Sequence, residues 1–171
     1  FEPAFADEVA LMMGWAFAHL QADTGSSVYL RLTTRVIEQV TRTGTAWEDD
    51  AIAGAYWLRA PSGDAQAAIA FCGAVAPEAI AAWEKLRDDL PGLGLLAVTS
   101  PDRLHRDWSA QHAARWTGTP QGPSHIETIL GALSPDAGLV TVLDGSPSAL
   151  SWLGGVRGHR VSPLGTDRFG Q

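Results

Sequence analysis

The chain is short of sulfur and of lysine. Cys72 is the only cysteine in 171 residues, so no internal disulfide can form and a cysteine-built metal cage is excluded. Lys85 is the only lysine, and the other eleven basic side chains are arginines. Lys and Arg total 12 against 19 Asp and Glu, which gives a net charge of −7. A nucleic-acid partner is not expected, because neutralising phosphates takes clustered basic side chains. No apolar run approaches the ~20 residues that cross a bilayer, so no membrane partner is expected either. The chain opens on Phe1 with no basic leader and no signal-type apolar core. Both ends read as cut from something longer, and the expected compartment is the cytoplasm. Hydrophobic residues make up 46% and charged residues 18%, a globular composition of a size for one domain, or one domain with an appendage.

The organisation follows from periodicity. Phe5, Val9, Met12, Met13, Ala16, Phe17 and Leu20 recur at three- and four-residue steps, so residues 3–22 read as a helix. Val28 to Thr34 is rich in β-formers and reads as a strand. Residues 35–54 are polar and read as a linker or long loop. Strands are then expected at 55–60, 67–74, 93–99, 139–143 and 159–164. Pro61-Ser62-Gly63-Asp64 reads as a hairpin-like turn joining the first two. Helices are expected at 77–90, 101–116, 124–133 and 147–153, three of them opening on proline. Strands alternating with helices imply an α/β fold: three layers around a mostly parallel five-stranded sheet with one antiparallel edge strand. The helix and strand before residue 46 read as the remnant of a second α/β domain.

Catalytic signatures are sparse. Gly92-Leu93-Gly94-Leu95-Leu96-Ala97 fits a dinucleotide fingerprint by letter, but its glycines lead into a strand, whereas a dinucleotide site needs them opening a helix. A tight turn is the plainer reading. His125-Ile126-Glu127 has the H-x-E of zinc deaminases without their P-C-x-x-C. His105 and His112 lie seven apart on one expected helix, a spacing that suits an exposed face better than a metal. Cys72 sits in an apolar run and reads as a small buried hydrophobe. Each of the seven tryptophans is taken as core, or else as marking a subunit surface. The strand ends Cys72–Val75, Thr99–Pro101, Asp144–Ser146 and Gly165–Asp167 are small and polar, and open α/β sheets bind ligands at such ends.

Four segments occur in a telling order: Phe1-Glu2-Pro3-Ala4-Phe5-Ala6-Asp7-Glu8-Val9-Ala10, Val28-Tyr29-Leu30-Arg31-Leu32-Thr33-Thr34, Val98-Thr99-Ser100-Pro101-Asp102-Arg103-Leu104-His105-Arg106-Asp107, and Leu164-Gly165-Thr166-Asp167-Arg168-Phe169-Gly170. Together they resemble the C-terminal part of homodimeric E1 components of 2-oxo acid dehydrogenase complexes, of the pyruvate dehydrogenase type, within the thiamine-diphosphate-dependent transketolase superfamily. The resemblance implies that residues 1–45 end a pyrimidine-binding domain and that 46–171 form a transketolase C-terminal-like domain, truncated at its end. It implies a parent oxidoreductase of the pyruvate dehydrogenase (acetyl-transferring) kind, which decarboxylates a 2-oxo acid and passes the acyl group to a lipoyl/acyltransferase component. This part would serve homodimer assembly and framing of the active site.

The departures are informative. Thiamine diphosphate and magnesium belong to the parent, and the Gly-Asp-Gly motif that holds them is missing here, so this chain alone is expected to bind neither and to be inactive. The family's active-site histidine, a few residues past the Thr-Thr pair, has no counterpart in Thr34-Arg35-Val36-Ile37-Glu38. A 2-oxo acid other than pyruvate is therefore open. The residues expected to contribute to a parent active site are Thr33, Thr34, Arg35 and Glu38, with Arg35 suited to hold a carboxylate. Two other readings stand beside this one: a free-standing α/β module that binds a small ligand or regulates, and a fragment of transketolase itself. The apolar stripe of the first helix predicts self-association.

Overall fold

The computed structural model describes residues 1–63, 65–119 and 122–168. The apolar runs become β1 (Ala55–Arg59), β2 (Ala67–Cys72), β3 (Gly94–Val98), β4 (Gly138–Leu143) and β5 (Arg160–Leu164), forming one sheet in the order β1-β3-β2-β4-β5. β2 is parallel to both β3 and β4, and β4 to β5; β1 alone runs antiparallel, on the outer edge against β3. The helices are α1 (Ala6–Gln21), α2 (Glu48–Ala53), α3 (Ala76–Leu86), α4 (Pro101–Trp116), α5 (His125–Leu130), α6 (Ser148–Ser151) and α7 (Gly154–Arg157). The expected α/β class, with a mostly parallel five-stranded sheet and one antiparallel edge strand, is the fold observed.

Alternation along the buried strands divides the core into two layers. Ala68, Ala70, Leu96, Val98 and Leu139 face Leu104 of α4, Ile126, Ile129 and Leu130 of α5, and Leu150 of α6. Ile69, Phe71, Leu95, Ala97 and Tyr56 face Ala76 and Ala79 of α3 together with Phe5 and Ala51. Helices thus cover both faces, as parallel strands require. β3 is buried along its whole length, while β5 lies on the open edge, largely exposed. Pro163 sits there because an edge strand tolerates a residue without an N–H. Among the described residues no helix is long and apolar enough to cross a membrane.

Several expectations are corrected. The segment 28–34 is extended but joins no sheet. Among the described residues its only backbone pairing is around Phe1, whose ammonium donates to the Tyr29 carbonyl and whose carbonyl accepts from the Arg31 amide. β-propensity needs a partner strand to be realised, and among the described residues none lies alongside. The turn at 61–64, whose Asp64 lies outside the described residues, does not make a hairpin, because β3 enters between β1 and β2. The linker expected over 35–54 contains α2, stabilised by three acidic residues in its first turn and by Ala51 buried against the sheet. Trp116 is 82% exposed, which overturns the core reading for it and leaves the surface one. The glycines at 92 and 94 form the expected turn: a Cβ on Gly94 would lie 2.8 Å from the Trp57 ring, so glycine lets the strand pass beneath that indole.

Residues before β1 are tied to the sheet through a buried carboxylate. Glu8 is 1% exposed and accepts hydrogen bonds from the Ala4 and Phe5 amides and from the Tyr56 hydroxyl. The Arg42 guanidinium completes the group, bonded to Asp7, Glu8 and Tyr56 and lying against the rings of Phe5, Trp47 and Tyr56. Burial pushes the Glu8 carboxyl above its ordinary value, opposed by the Tyr56 hydrogen bond, the two amides and the Arg42 charge.

Candidate functional site at the strand switch point

β2 continues through α3 to β3 on one side, and β4 continues through α6 and α7 to β5 on the other. The carboxyl ends of β2 and β4 are neighbours whose connections diverge, and this is where an open α/β sheet leaves a crevice. The crevice is occupied by residues from the far end of the sequence. Glu2 is anchored by its amide, which donates to the Thr99 carbonyl at 2.7 Å. Its carboxylate lies over Gly73, the first residue past β2. Gly73 has φ +64, and a Cβ there would lie 2.6 Å from Glu2 Oε1, so glycine is needed both for the turn and for the carboxylate.

Arg31 spans the crevice. One terminal nitrogen donates to Glu2 Oε1 at 2.7 Å and to the Asp144 carbonyl at 2.7 Å; the other reaches Asp144 Oδ2 at 3.3 Å. One guanidinium therefore joins the end of β2 to the end of β4. Behind it Cys72 is buried, and burial pushes its thiol well up, with the Glu2 carboxylate beside it adding to the effect. A thiol so placed is inert as a nucleophile.

Two cavities open on this group. One, of about 230 Å³, is lined by Glu2, Arg31, Thr33, Thr34, Ala74 and Asp144. The other, of about 470 Å³, lies beyond it between Thr33, Arg35, Glu78, Val142, Leu164 and Thr166. Thr33, Thr34 and Arg35, expected from the sequence, are thus brought together. The Thr33 hydroxyl accepts from the Arg35 amide at 3.1 Å, and the Arg35 guanidinium pairs with Glu78 at 2.6 Å and approaches the Ala74 carbonyl at 3.4 Å. Arg35 draws the Glu78 carboxyl below its ordinary value. Glu38 is exposed and lines neither cavity. Glu2 and Arg31 were not singled out from the sequence. Their signal is faint, since the partners of Arg31 lie 29 and 113 residues away along the chain.

The chemistry of this crevice is restrained. Glu2, Arg31 and Asp144 sum to one negative charge, a poor host for a diphosphate. Among the described residues no three His, Cys, Asp or Glu side chains converge as metal ligands. Thiamine diphosphate and magnesium therefore do not fit the side chains of this crevice. Among the described residues lining this cavity with Thr33 and Thr34 there is no histidine, and the two carboxylates, Glu2 and Asp144, are paired with Arg31. The arrangement positions and neutralises; it does not supply a nucleophile. His125, from the H-x-E letters, points elsewhere: its Nε2 lies 2.8 Å from the Ala55 carbonyl, while Glu127 caps α5. His105 and His112 lie on the exposed face of α4.

Fold and crevice together define a three-layer α/β domain with a charged crevice at its strand switch point. Compared with known proteins, the chain matches no family model and no curated protein.

Proposed function

We propose that the chain is the C-terminal part of a thiamine-diphosphate-dependent E1 enzyme of the pyruvate dehydrogenase type, and that it serves assembly and active-site framing. The observation that carries this reading is the sheet itself: five strands, parallel but for one edge, with the preceding segment latched across its carboxyl ends. That is the architecture the resemblance implies for the C-terminal domain of such enzymes. The order of the four matching segments supports it independently. The cofactor, when bound by the parent, supplies the carbanion chemistry; in this reading it is held by residues outside this chain.

In the parent, Arg35 is placed to meet a substrate carboxylate. Its partner Glu78 is more than half exposed, and an exposed pair of that kind is worth little and exchanges readily. Thr33 and Thr34 would line the approach. The lipoyl/acyltransferase component and a second copy of the chain are the partners this reading assigns.

The test is to read the coding frame outward from both ends. An open upstream frame carrying Gly-Asp-Gly and a later Asn is the expected result; a start codon next to Phe1 would leave a free-standing small-ligand module instead. Calorimetry of the 171-residue chain with thiamine diphosphate and magnesium should show no binding. Tight binding would overturn the assignment.

A further inference from the structure

Only two arginines among the described residues escape exposure, Arg42 and Arg103, and both lie against aromatic rings. They differ in what the guanidinium meets. Arg42 has Asp7, Glu8 and Tyr56. Arg103 lies against both Phe1, 5.3 Å from its ring centre, and Trp15, 4.6 Å from its ring centre, and the two rings themselves meet edge to face at 5.3 Å. Its side chain has no carboxylate or carbonyl acceptor among the described residues, and its Nε is buried with no hydrogen-bond partner. A half-buried charge without a counter-ion is costly. Burial pulls the Arg103 pKa below its usual value, with Arg106 adding to the effect and Asp102 opposing it. Asp102 stands nearby and acts on Arg103 through its charge alone, its carboxylate meeting Arg106 at 2.8 Å on the open surface.

The unpaired guanidinium faces a cavity of about 440 Å³, away from the switch point. Its walls are of two kinds. Phe1, Trp15 and Val28 supply apolar surface, while Ser26, Tyr29 and Ser100 supply hydroxyls. With Arg106 paired to Asp102, the lining keeps two positive groups, the Arg103 guanidinium and the Phe1 ammonium. They call for an anion, and the apolar walls call for an organic body on it, which inorganic phosphate lacks. A guanidinium fork without an acceptor of its own is suited to a carboxylate.

We propose that this cavity binds a small organic carboxylate, with Arg103 taking the carboxylate and the rings of Phe1 and Trp15 enclosing the rest. The site stands apart from the E1 reading, and either can fail without the other.

The test titrates the 171-residue chain calorimetrically with phenylacetate, 3-methylbutanoate and 3-methyl-2-oxobutanoate. Inorganic phosphate and phenylethanol serve as the charge-only and body-only controls. At least one acid should bind, with phosphate and phenylethanol weaker by about tenfold or more, the worth of a charged hydrogen-bonded pair. In nitrogen-correlated NMR spectra the bound acid should move the Trp15 indole N–H, identified from Trp15→Phe, and leave that of Trp116 in place. Arg103→Gln should lower affinity by about tenfold without lowering Tm, because the charge it removes has no partner in the free protein. Should that variant fail to fold, the Trp15 shift in the unmodified chain still decides. Failure of all three acids, preference for phosphate, or binding that leaves Trp15 unmoved would overturn the proposal.

Discussion

Glu127 gathers several interactions on one carboxylate. It receives both terminal nitrogens of Arg115 at 2.7 Å and the Ser124 amide and hydroxyl at 2.7 and 2.8 Å, closing a capping box at the start of α5. Arg115 first, then the Ser124 bonds, hold its carboxyl down at about 2, below the ordinary 4.5, with partial burial opposing them. A folded value below the unfolded one means stability that is present above the unfolded value and lost as pH falls through the folded one. Glu127→Ala should therefore cost about 1 kcal/mol near neutral pH, typical of a lost cap, since the half-exposed Arg115 adds only a screened contribution. Urea denaturation at a series of pH values should show the gap from the parent chain closing between about pH 4.5 and pH 2; a gap constant with pH would refute the assignment. Glu8 has the opposite sign. Burial raises its folded value, so ionising it costs stability as pH rises past the ordinary 4.5. Glu8→Gln keeps an acceptor for the Ala4 and Phe5 amides and carries no charge to bury. The same urea series should find its stability relative to the parent chain improving as pH rises through that window, and a falling relative stability would show that Arg42 outweighs burial. The capping role of Glu127 is marked locally by Ser124 three residues before it, whereas nothing local marks the role of Glu8, which meets Tyr56 across 48 residues.

At the scale of elements, what is readable is what is local. α4 runs from Pro101 to Trp116 as expected, because proline at its first position and the Ser100 cap define its start without help from the fold. β2 and β3 fall within two residues of the expected bounds, since apolar runs bounded by glycine mark buried strands. α2 was hidden because six residues are too few to show a period, and the helix exists through tertiary packing of Ala51. The strand order was hidden for a similar reason. Whether β3 inserts between β1 and β2 depends on contacts that no turn motif records. The site follows the same division: Thr33 and Thr34, read within an expected strand, were singled out only through the family resemblance, while the Glu2–Arg31–Asp144 bridge became visible only when β2 and β4 stood side by side. Gly73 is the hinge between these levels. Gly73→Ala would strain a positive φ and drive a Cβ into the Glu2 carboxylate, with an expected loss of about 1–3 kcal/mol. If the carboxylate is half the cause, the loss should be smaller in a Glu2→Ala background. A double-mutant cycle by thermal or urea unfolding measures that coupling, and additive losses would assign the whole cost to the backbone.

For the whole molecule, the distribution of exposed apolar side chains is the feature that internal packing leaves unexplained. Among the described residues nine large hydrophobic side chains are exposed, and Met13, Phe17, Leu20, Tyr29, Leu32 and Val36 all fall before α2. Met13, Phe17 and Leu20 follow one another at four and three residues, forming a stripe on the flank of α1 next to the buried Met12 and Ala16. The apolar stripe predicts self-association, since the segment has little sheet to cover it, and the composition of the stripe suits a second copy as the occupant. It carries no charge, so two copies related by a two-fold axis can place it against itself without opposing like charges, even though each chain has a net charge of −7. Phe17 and Leu20 are both more than half exposed, at 57% and 53%, so replacing them opens no cavity in the chain's own core. Phe17→Glu with Leu20→Glu should therefore leave Tm within about 1 kcal/mol of stability of the parent, as surface changes usually do, while abolishing dimers. Sedimentation velocity at tens of micromolar should show dimers for the parent chain and monomers for the variant, because four carboxylates would meet at the two-fold axis with no cation between them. A parent chain that sediments as a strict monomer would remove the second copy as the occupant of this stripe.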